Sequence, residues 1–264
     1  MNRNLFIAIL LIFACLSIFL LTSCAKEQMI AEDKETKPPS KEVAKVEKEK
    51  PLVKEEVKEG EFKVDIQALI SETQKVTQNL NRLVLVWWTP NEFWRASFSQ
   101  NPSASKAQIE EALKVLRPYT LIAVIDGKIG AFGGITYKSE ADIRSSVYIR
   151  DSHGTVYPPL SMDKIEINAK NFLSMMKPML ANMLGPFGQN SHFILFPTEN
   201  KKGQKIVEAK SEGAFSLKYG EKEFRWRLPL GSLLPVKICP SCGEKLSGAY
   251  KFCPWDGTKL QATN

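Results

Sequence analysis

Residues 214–228 read AFSLKYGEKEFRWRL. Two strand-like runs, 214–219 and 223–228, meet at Tyr219-Gly220-Glu221-Lys222, so the segment reads as an antiparallel hairpin. The neighbouring sequence repeats this theme. Residues 147–150 and 155–157 flank Asp151-Ser152-His153-Gly154, a second hairpin. Residues 120–125 and 131–137 flank Asp126-Gly127, which reads as the turn of a third. Residues 193–196 form a further strand, and 83–88 (LVLVWW) form a short, dense apolar and aromatic run suited to a buried one.

Helical signals lie between these runs. Ile66, Leu69, Ile70, Val76, Leu80 and Leu83 recur at mostly helical spacing, which predicts a helix over 65–83. Thr89-Pro90-Asn91-Glu92 starts another, with Thr89 or Asn91 as its cap. Ser105 caps a third over 105–116, whose inner stripe is Ile109, Leu113 and Leu116. Residues 171–184 are helical with a break at Pro178. The expected fold class over 63–232 is α+β, mostly antiparallel, with two to four helices. The succession 147–159, 193–197, 214–228 resembles the immunoglobulin-like sandwiches of secreted bacterial proteins. No internal repeat is read.

The chain has 264 residues, 44% hydrophobic and 25% charged. That composition excludes a wholly disordered chain and a multi-pass membrane protein. Five cysteines are too few for a disulfide-rich scaffold. Two histidines, His153 and His192, leave little room for a histidine-rich metal site. The net charge of +7 is uneven. Residues 25–62 carry 9 lysines against 11 acidic residues, whereas 63–264 carry 26 basic against 18 acidic residues. The body is therefore basic and biased toward anionic surfaces.

The first two dozen residues have the layout of a secretory leader. A short polar start carries Arg3, and an apolar run over 5–21 follows. The run ends in Leu21-Thr22-Ser23-Cys24, which resembles the lipobox of bacterial lipoproteins. The resemblance implies cleavage after 23, diacylglycerol transfer to the Cys24 thiol and acylation of the new amino terminus by palmitate-type chains. Several chains hold a protein on a bilayer stably where one does not. Ala25, rather than an aspartate, implies sorting to the outer membrane by likeness to enterobacterial lipoproteins. The alternative is an uncleaved signal anchor with Cys24 a bystander. Cys15, inside the apolar run, reads as a small hydrophobe.

Residues 24–62 follow as a tether. Twenty of the 38 residues from 25 to 62 are charged, and Pro38, Pro39 and Pro51 interrupt any helix. Such a segment cannot bury enough apolar surface to offset its ordering entropy and reads as a spacer reaching roughly 35 Å. A solvated helix held by Glu/Lys pairs is the alternative.

The chemistry concentrates at the other end, over 236–260. Cys239-Pro240-Ser241-Cys242-Gly243 is followed by Cys253-Pro254-Trp255-Asp256-Gly257. Two thiolates separated by two residues on a tight turn can face one ion, and the glycine permits the turn. The pattern resembles bacterial zinc ribbons, whose knuckles read CPxCG, with Asp256 where the family has its fourth cysteine. The resemblance implies a structural Zn2+ held by Cys239, Cys242, Cys253 and Asp256, for which a carboxylate oxygen is an acceptable ligand. Lys237, Lys245, Lys251 and Lys259 surround this anionic shell. A Cys239–Cys242 disulfide, or a ribbon without metal, remains open.

Other residues read as structure. Asp151, Ser152 and His153 are adjacent, whereas triad members meet from separate elements. Gly127, Gly130, Gly133 and Gly134 do not match a nucleotide fingerprint. Met175, Met176, Met179 and Met183 read as core filling, as do Trp87, Trp88 and Trp94, although adjacent strand residues Trp87 and Trp88 must face opposite ways. The functional expectation is a non-catalytic binding or scaffolding lipoprotein of the bacterial cell envelope. It would face the periplasm from the outer membrane, held by acyl chains and bound to an envelope protein or cell-wall partner. The alternatives are an enzyme acting on wall or surface substrates and, with export against it, a nucleic-acid binder.

Overall fold

The structure, a computed structural model, describes residues 63–79, 81–132 and 134–261. The leader, Cys15, Cys24 and the tether lie outside the described residues. No helix among the described residues is long and apolar enough to cross a membrane.

Helix α1 (Ile66–Thr73) runs directly into β1 (Gln74–Asn79), which turns back as β2 (Arg82–Thr89). Helices α2 (Asn91–Ser99) and α3 (Lys106–Leu116) lead to the long β3 (Tyr119–Ile129). Then come β4 (Ile135–Tyr137), α4 (Glu140–Ser145), β5 (Val147–Arg150), β6 (Val156–Tyr157), α5 (Ile167–Leu184), α6 (Pro186–Gln189) and β7 (His192–Pro197). The hairpin β8 (Gly213–Tyr219) and β9 (Lys222–Leu228) precedes a small ribbon with β10 (Lys237–Ile238) and β11 (Lys245–Leu246).

The class is α+β, and all the strand pairings are antiparallel. In the first sheet β1, β2 and β3 lie side by side. The far edge of β3 is shared by β4, opposite residues 127–129, and β7, opposite residues 119–124. The second sheet has the order β6-β5-β8-β9. The strand 193–197 thus belongs to one sheet and the hairpins 147–157 and 213–228 to the other. Six α-helices are described, two more than the sequence led us to expect. The additions are α4 and α6, of six and four residues, too short to show a periodic stripe.

The sheets meet through aromatic rings. Trp88 of β2 points edge-on at Phe215 and Trp226, at centroid distances of 4.8 and 6.4 Å, and Phe215 stacks on Trp226 at 4.7 Å. Trp87 points the other way, edge-on to Phe93 of α2 at 5.0 Å, and donates its Nε1–H to Thr73 Oγ1. Trp94 and Phe98 of α2 pack on Phe172 of α5. The three tryptophans are core or packed against it, as expected, and Met176 is buried.

The predicted helix over 65–83 is half strand. Asp65 caps α1 by accepting from the Gln67 and Ala68 N–H groups, but the helix stops at Thr73. From Gln74 the chain pairs with residues 82–87 of β2, Gln74 opposite Trp87 and Asn79 opposite Arg82. β-Branched Val76 and Thr77 suit that edge strand, and Val76 is exposed rather than part of a buried stripe. Sheet pairing overrides the apparent period.

The third hairpin turns later than predicted. Asp126 and Gly127 lie inside β3, opposite Val84 and Leu83, and the chain reverses after Ile129, where Gly130 N–H donates to Gly134 O at 2.7 Å. A turn aspartate would face water. Asp126 is instead buried, with its carboxylate accepting from Arg82 Nε and Nη2 at 2.8 and 2.6 Å and from Tyr219 OH at 2.5 Å. Gly127 is required by close approach: a Cβ there would come within 2.9 Å of Ile135 Cγ2.

Two smaller readings also shift. α5 passes through Pro178 without breaking and starts earlier, at Ile167. Pro178 and Ser174 are both exposed, so the carbonyl that loses its partner faces water. α2 is preceded by Pro90, and Thr89 bonds Leu121 O instead of capping the helix. Ser105 caps α3 as predicted, in a reciprocal box with Gln108.

Candidate metal centre

The ribbon begins where the body is clamped. After β9, residues 231–233 form a 3-10 turn whose Gly231 and Ser232 N–H groups, 2.9 Å each, donate to the Glu72 carboxylate of α1. Ser232 Oγ donates to it as well. Gly231 also lies against Ser247 of the ribbon, since a Cβ on it would overlap Ser247 Oγ. Lys251 adds an ion pair to Glu212 at 2.7 Å.

Two backbone corners build the site. In the first, Gly243 N–H donates to Cys239 O at 2.9 Å and Cys239 N–H to Glu244 O at 2.9 Å. In the second, Gly257 N–H donates to Cys253 O at 3.0 Å and Cys253 N–H to Thr258 O at 2.8 Å. Gly243 and Gly257 have φ of 74° and 73°, the left-handed region that glycine adopts without strain. Ile238 bridges Lys245 in one half and Phe252 bridges Lys259 in the other. Cys239, Leu246, Cys253 and Leu260 make the small core beneath.

This equivalence lies outside the body over 63–232, for which no repeat is read, and extends the match between the two knuckles. Residues 237–246, KICPSCGEKL, and 251–260, KFCPWDGTKL, are one motif repeated at an offset of 14. Lysine, cysteine, proline, glycine, lysine and leucine recur at matching positions, and Cys242 corresponds to Asp256. A ten-residue unit at so short an offset escapes a search for periods of whole structural repeats. The signal was the recurrence of Lys-Leu after each glycine.

The ligand atoms of Cys239, Cys242, Cys253 and Asp256 all lie within 4.8 Å of one another. Cys242 Sγ is 3.8 Å from Cys253 Sγ, and Cys239 Sγ is 3.4 Å from Asp256 Oδ2. Cys239 and Cys253 are buried, while Cys242 and Asp256 are exposed. The three cysteines are free thiols, so the predicted residues converge without a disulfide. These three cysteines and one aspartate can hold a metal ion.

The electrostatics follow from backbone donors and crowding. The Cys242 and Ser241 N–H groups favour the Cys239 thiolate and bring that thiol below its ordinary value. At Cys242 the Glu244 N–H also favours the thiolate. Partial desolvation and the neighbouring Cys239, Cys253 and Asp256 outweigh it and push the thiol up to about 12. The Thr258 N–H, 2.8 Å from Asp256 Oδ1, and its hydroxyl hold the Asp256 carboxyl well below the usual carboxylate range. So many anionic groups close together repel one another, and a cation among them relieves that repulsion.

Of the lysines expected around the shell, Lys237 donates to Tyr250 O at 2.8 Å, Lys251 pairs with Glu212, and Lys245 and Lys259 are exposed. The Asp151-Ser152-His153 segment is a turn. Asp151 Oδ1 accepts from the His153 and Thr155 N–H groups at 2.9 Å each, and His153 faces solvent.

No family model, curated protein or solved structure matches the chain.

Proposed function

We propose that the chain is an acyl-anchored lipoprotein of the bacterial cell envelope that binds or scaffolds an envelope protein or cell-wall partner, with a structural zinc ion fixing its C-terminal ribbon. The observation that carries the zinc reading is the pair of ligand separations. Tetrahedral zinc with Zn–S of about 2.3 Å and Zn–O of about 2.0 Å sets sulfur–sulfur edges of about 3.8 Å and sulfur–oxygen edges of about 3.5 Å. Two of the six separations, Cys242 to Cys253 and Cys239 to Asp256, are 3.8 and 3.4 Å, and all six lie within 4.8 Å. Four protein ligands saturate such an ion and leave no position for substrate, which is the mark of a structural site. The ion contributes folding energy to a segment whose own core is four residues. The anchor reading rests on Leu21-Thr22-Ser23-Cys24 and the apolar run before it. Outer-membrane placement rests on Ala25.

Two measurements test this. Metal analysis of the purified protein is expected to give about one zinc per chain. A Cys253→Ala, Asp256→Ala double variant is expected to carry little, and a full load in that variant would refute the ligand assignment. Cys24→Ser is expected to lose acyl label and membrane association. Unchanged fractionation with an uncut leader would refute the anchor.

A further inference from the structure

The ribbon concentrates exposed apolar surface in a few residues. Tyr250, Phe252 and Trp255 are 48%, 57% and 76% exposed, and they fall within six residues of chain. Phe252 and Trp255 flank the Cys253-Pro254 corner. Lys259 stands opposite Phe252 across their bridge, and Lys251 precedes Phe252 with its side chain mostly exposed despite its pair with Glu212. Aromatic rings interleaved with lysines match the chemistry of an anionic bilayer surface. The rings sit at headgroup depth and the ammonium groups meet lipid phosphates.

A separate observation concerns where the anchored segment joins the body. The described chain begins at Lys63, and α1 starts three residues later. Glu72, near the end of α1, holds Gly231 and Ser232 at the root of the ribbon. At 1.5 Å per helical residue, Ile66 to Glu72 spans about 9 Å. The described chain therefore begins within about 20 Å of the ribbon's root.

We infer that the aromatic edge of the ribbon, Phe252 and Trp255 with Lys251 and Lys259, docks on the anionic bilayer to which Cys24 ties the chain. The inference rests on the anchor reading. The patch is weak alone and effective once tethered, because a tethered patch meets the surface at high effective concentration. The ribbon is then a second foot, and the body is held in one orientation.

The test uses the full acylated chain in vesicles of phosphatidylcholine, with and without phosphatidylglycerol, and tryptophan quenching by lipids brominated near the headgroup. Trp88, Trp94 and Trp226 are buried and Trp87 is half-buried, so the difference between the parent and Trp255→Phe reports position 255. In anionic vesicles the parent is expected to show lipid quenching that Trp255→Phe abolishes. Phe252→Ser with Lys259→Glu is expected to weaken it several-fold, as is omission of phosphatidylglycerol. Flotation with the vesicles is expected to be the same for all of these.

Flotation without lipid quenching, with Trp255 still open to aqueous iodide, overturns the docking and leaves the anchor standing. Failure to float overturns both. Protection of Trp255 already present in neutral detergent and growing with protein concentration assigns the patch to a second copy and overturns the docking. So does protection that requires added RNA.

Discussion

Asp126→Asn tests the joint between the two sheets. The Asp126 side chain is 2% exposed and accepts three hydrogen bonds, two from Arg82 on β2 and one from Tyr219 on β8. Removing one partner of a buried ion pair costs about 3–5 kcal/mol, chiefly because the other charge is left unpaired. The Arg82 side chain is 35% exposed, so water recovers part of its solvation and the expected loss falls to about 2–3 kcal/mol. Tyr219→Phe removes one bond to a charged acceptor, about 1.5–3 kcal/mol before any relaxation. The two share a carboxylate, so their effects overlap by about 1 kcal/mol or more in a double-mutant cycle.

The pH dependence has a defined sign. Burial alone would raise the Asp126 carboxyl. The hydrogen bonds from Arg82 and Tyr219 and the charges of Arg82 and Lys138 overcome burial and hold it below its ordinary value. A depressed carboxyl stabilises the fold above the unfolded value, about 3.9, and that contribution is lost as pH falls through the folded value. Urea titrations across pH 3–7 are expected to show this acid loss in the parent, and Asp126→Asn is expected to lack it. A variant within about 0.5 kcal/mol of the parent at neutral pH, or strict additivity with Tyr219→Phe, would refute the reasoning.

Trp226→Ala removes a side chain 1% exposed, its stack on Phe215 and the bond from its Nε1–H to Thr73 O at 2.9 Å, and is expected to cost about 3–5 kcal/mol by calorimetry or urea titration. Ser105→Ala deletes half of the capping box on α3 and is expected to cost about 1 kcal/mol, while Ser105→Asp restores the parent value. Gly188→Ala places a Cβ 1.8 Å from Leu180 O, a backbone clash that no rotamer relieves, and is expected to lower the melting temperature by several degrees or to prevent soluble expression.

What the sequence disclosed depended on whether local chemistry or long-range pairing decides each segment. The β8–β9 hairpin was legible because its turn lies within it: Tyr219 pairs with Lys222, and Gly220 has a φ of 56°. α3 was legible because Ser105 and Gln108 bond each other three residues apart. The signal for α4 was present as well, since Ser139 accepts from Asp142 N–H, but six residues give no stripe to confirm it. β1 was not legible, because its partner β2 is what makes it a strand. Nor was Asp126, whose partners stand 44 and 93 residues away and turn an apparent loop residue into a core one. The residues of the candidate metal centre were legible because their spacing is local within each corner. The clamp of Glu72 on Gly231 and Ser232 was not, because it spans about 160 residues of chain.

The matched corners also bear on ancestry and on engineering. Position 256 has the backbone of position 242: a glycine follows each, and an N–H two residues on is aimed at each ligand atom. A carboxylate therefore sits in a socket shaped for sulfur, as a duplicated unit would leave it after a single change of donor. The two halves would hold an ion unequally, one through a pair of soft donors and the other through one soft and one hard, with one exposed donor in each, Cys242 and Asp256. Exchange of such an ion would then start at the exposed carboxylate, the harder donor, rather than at the exposed thiol.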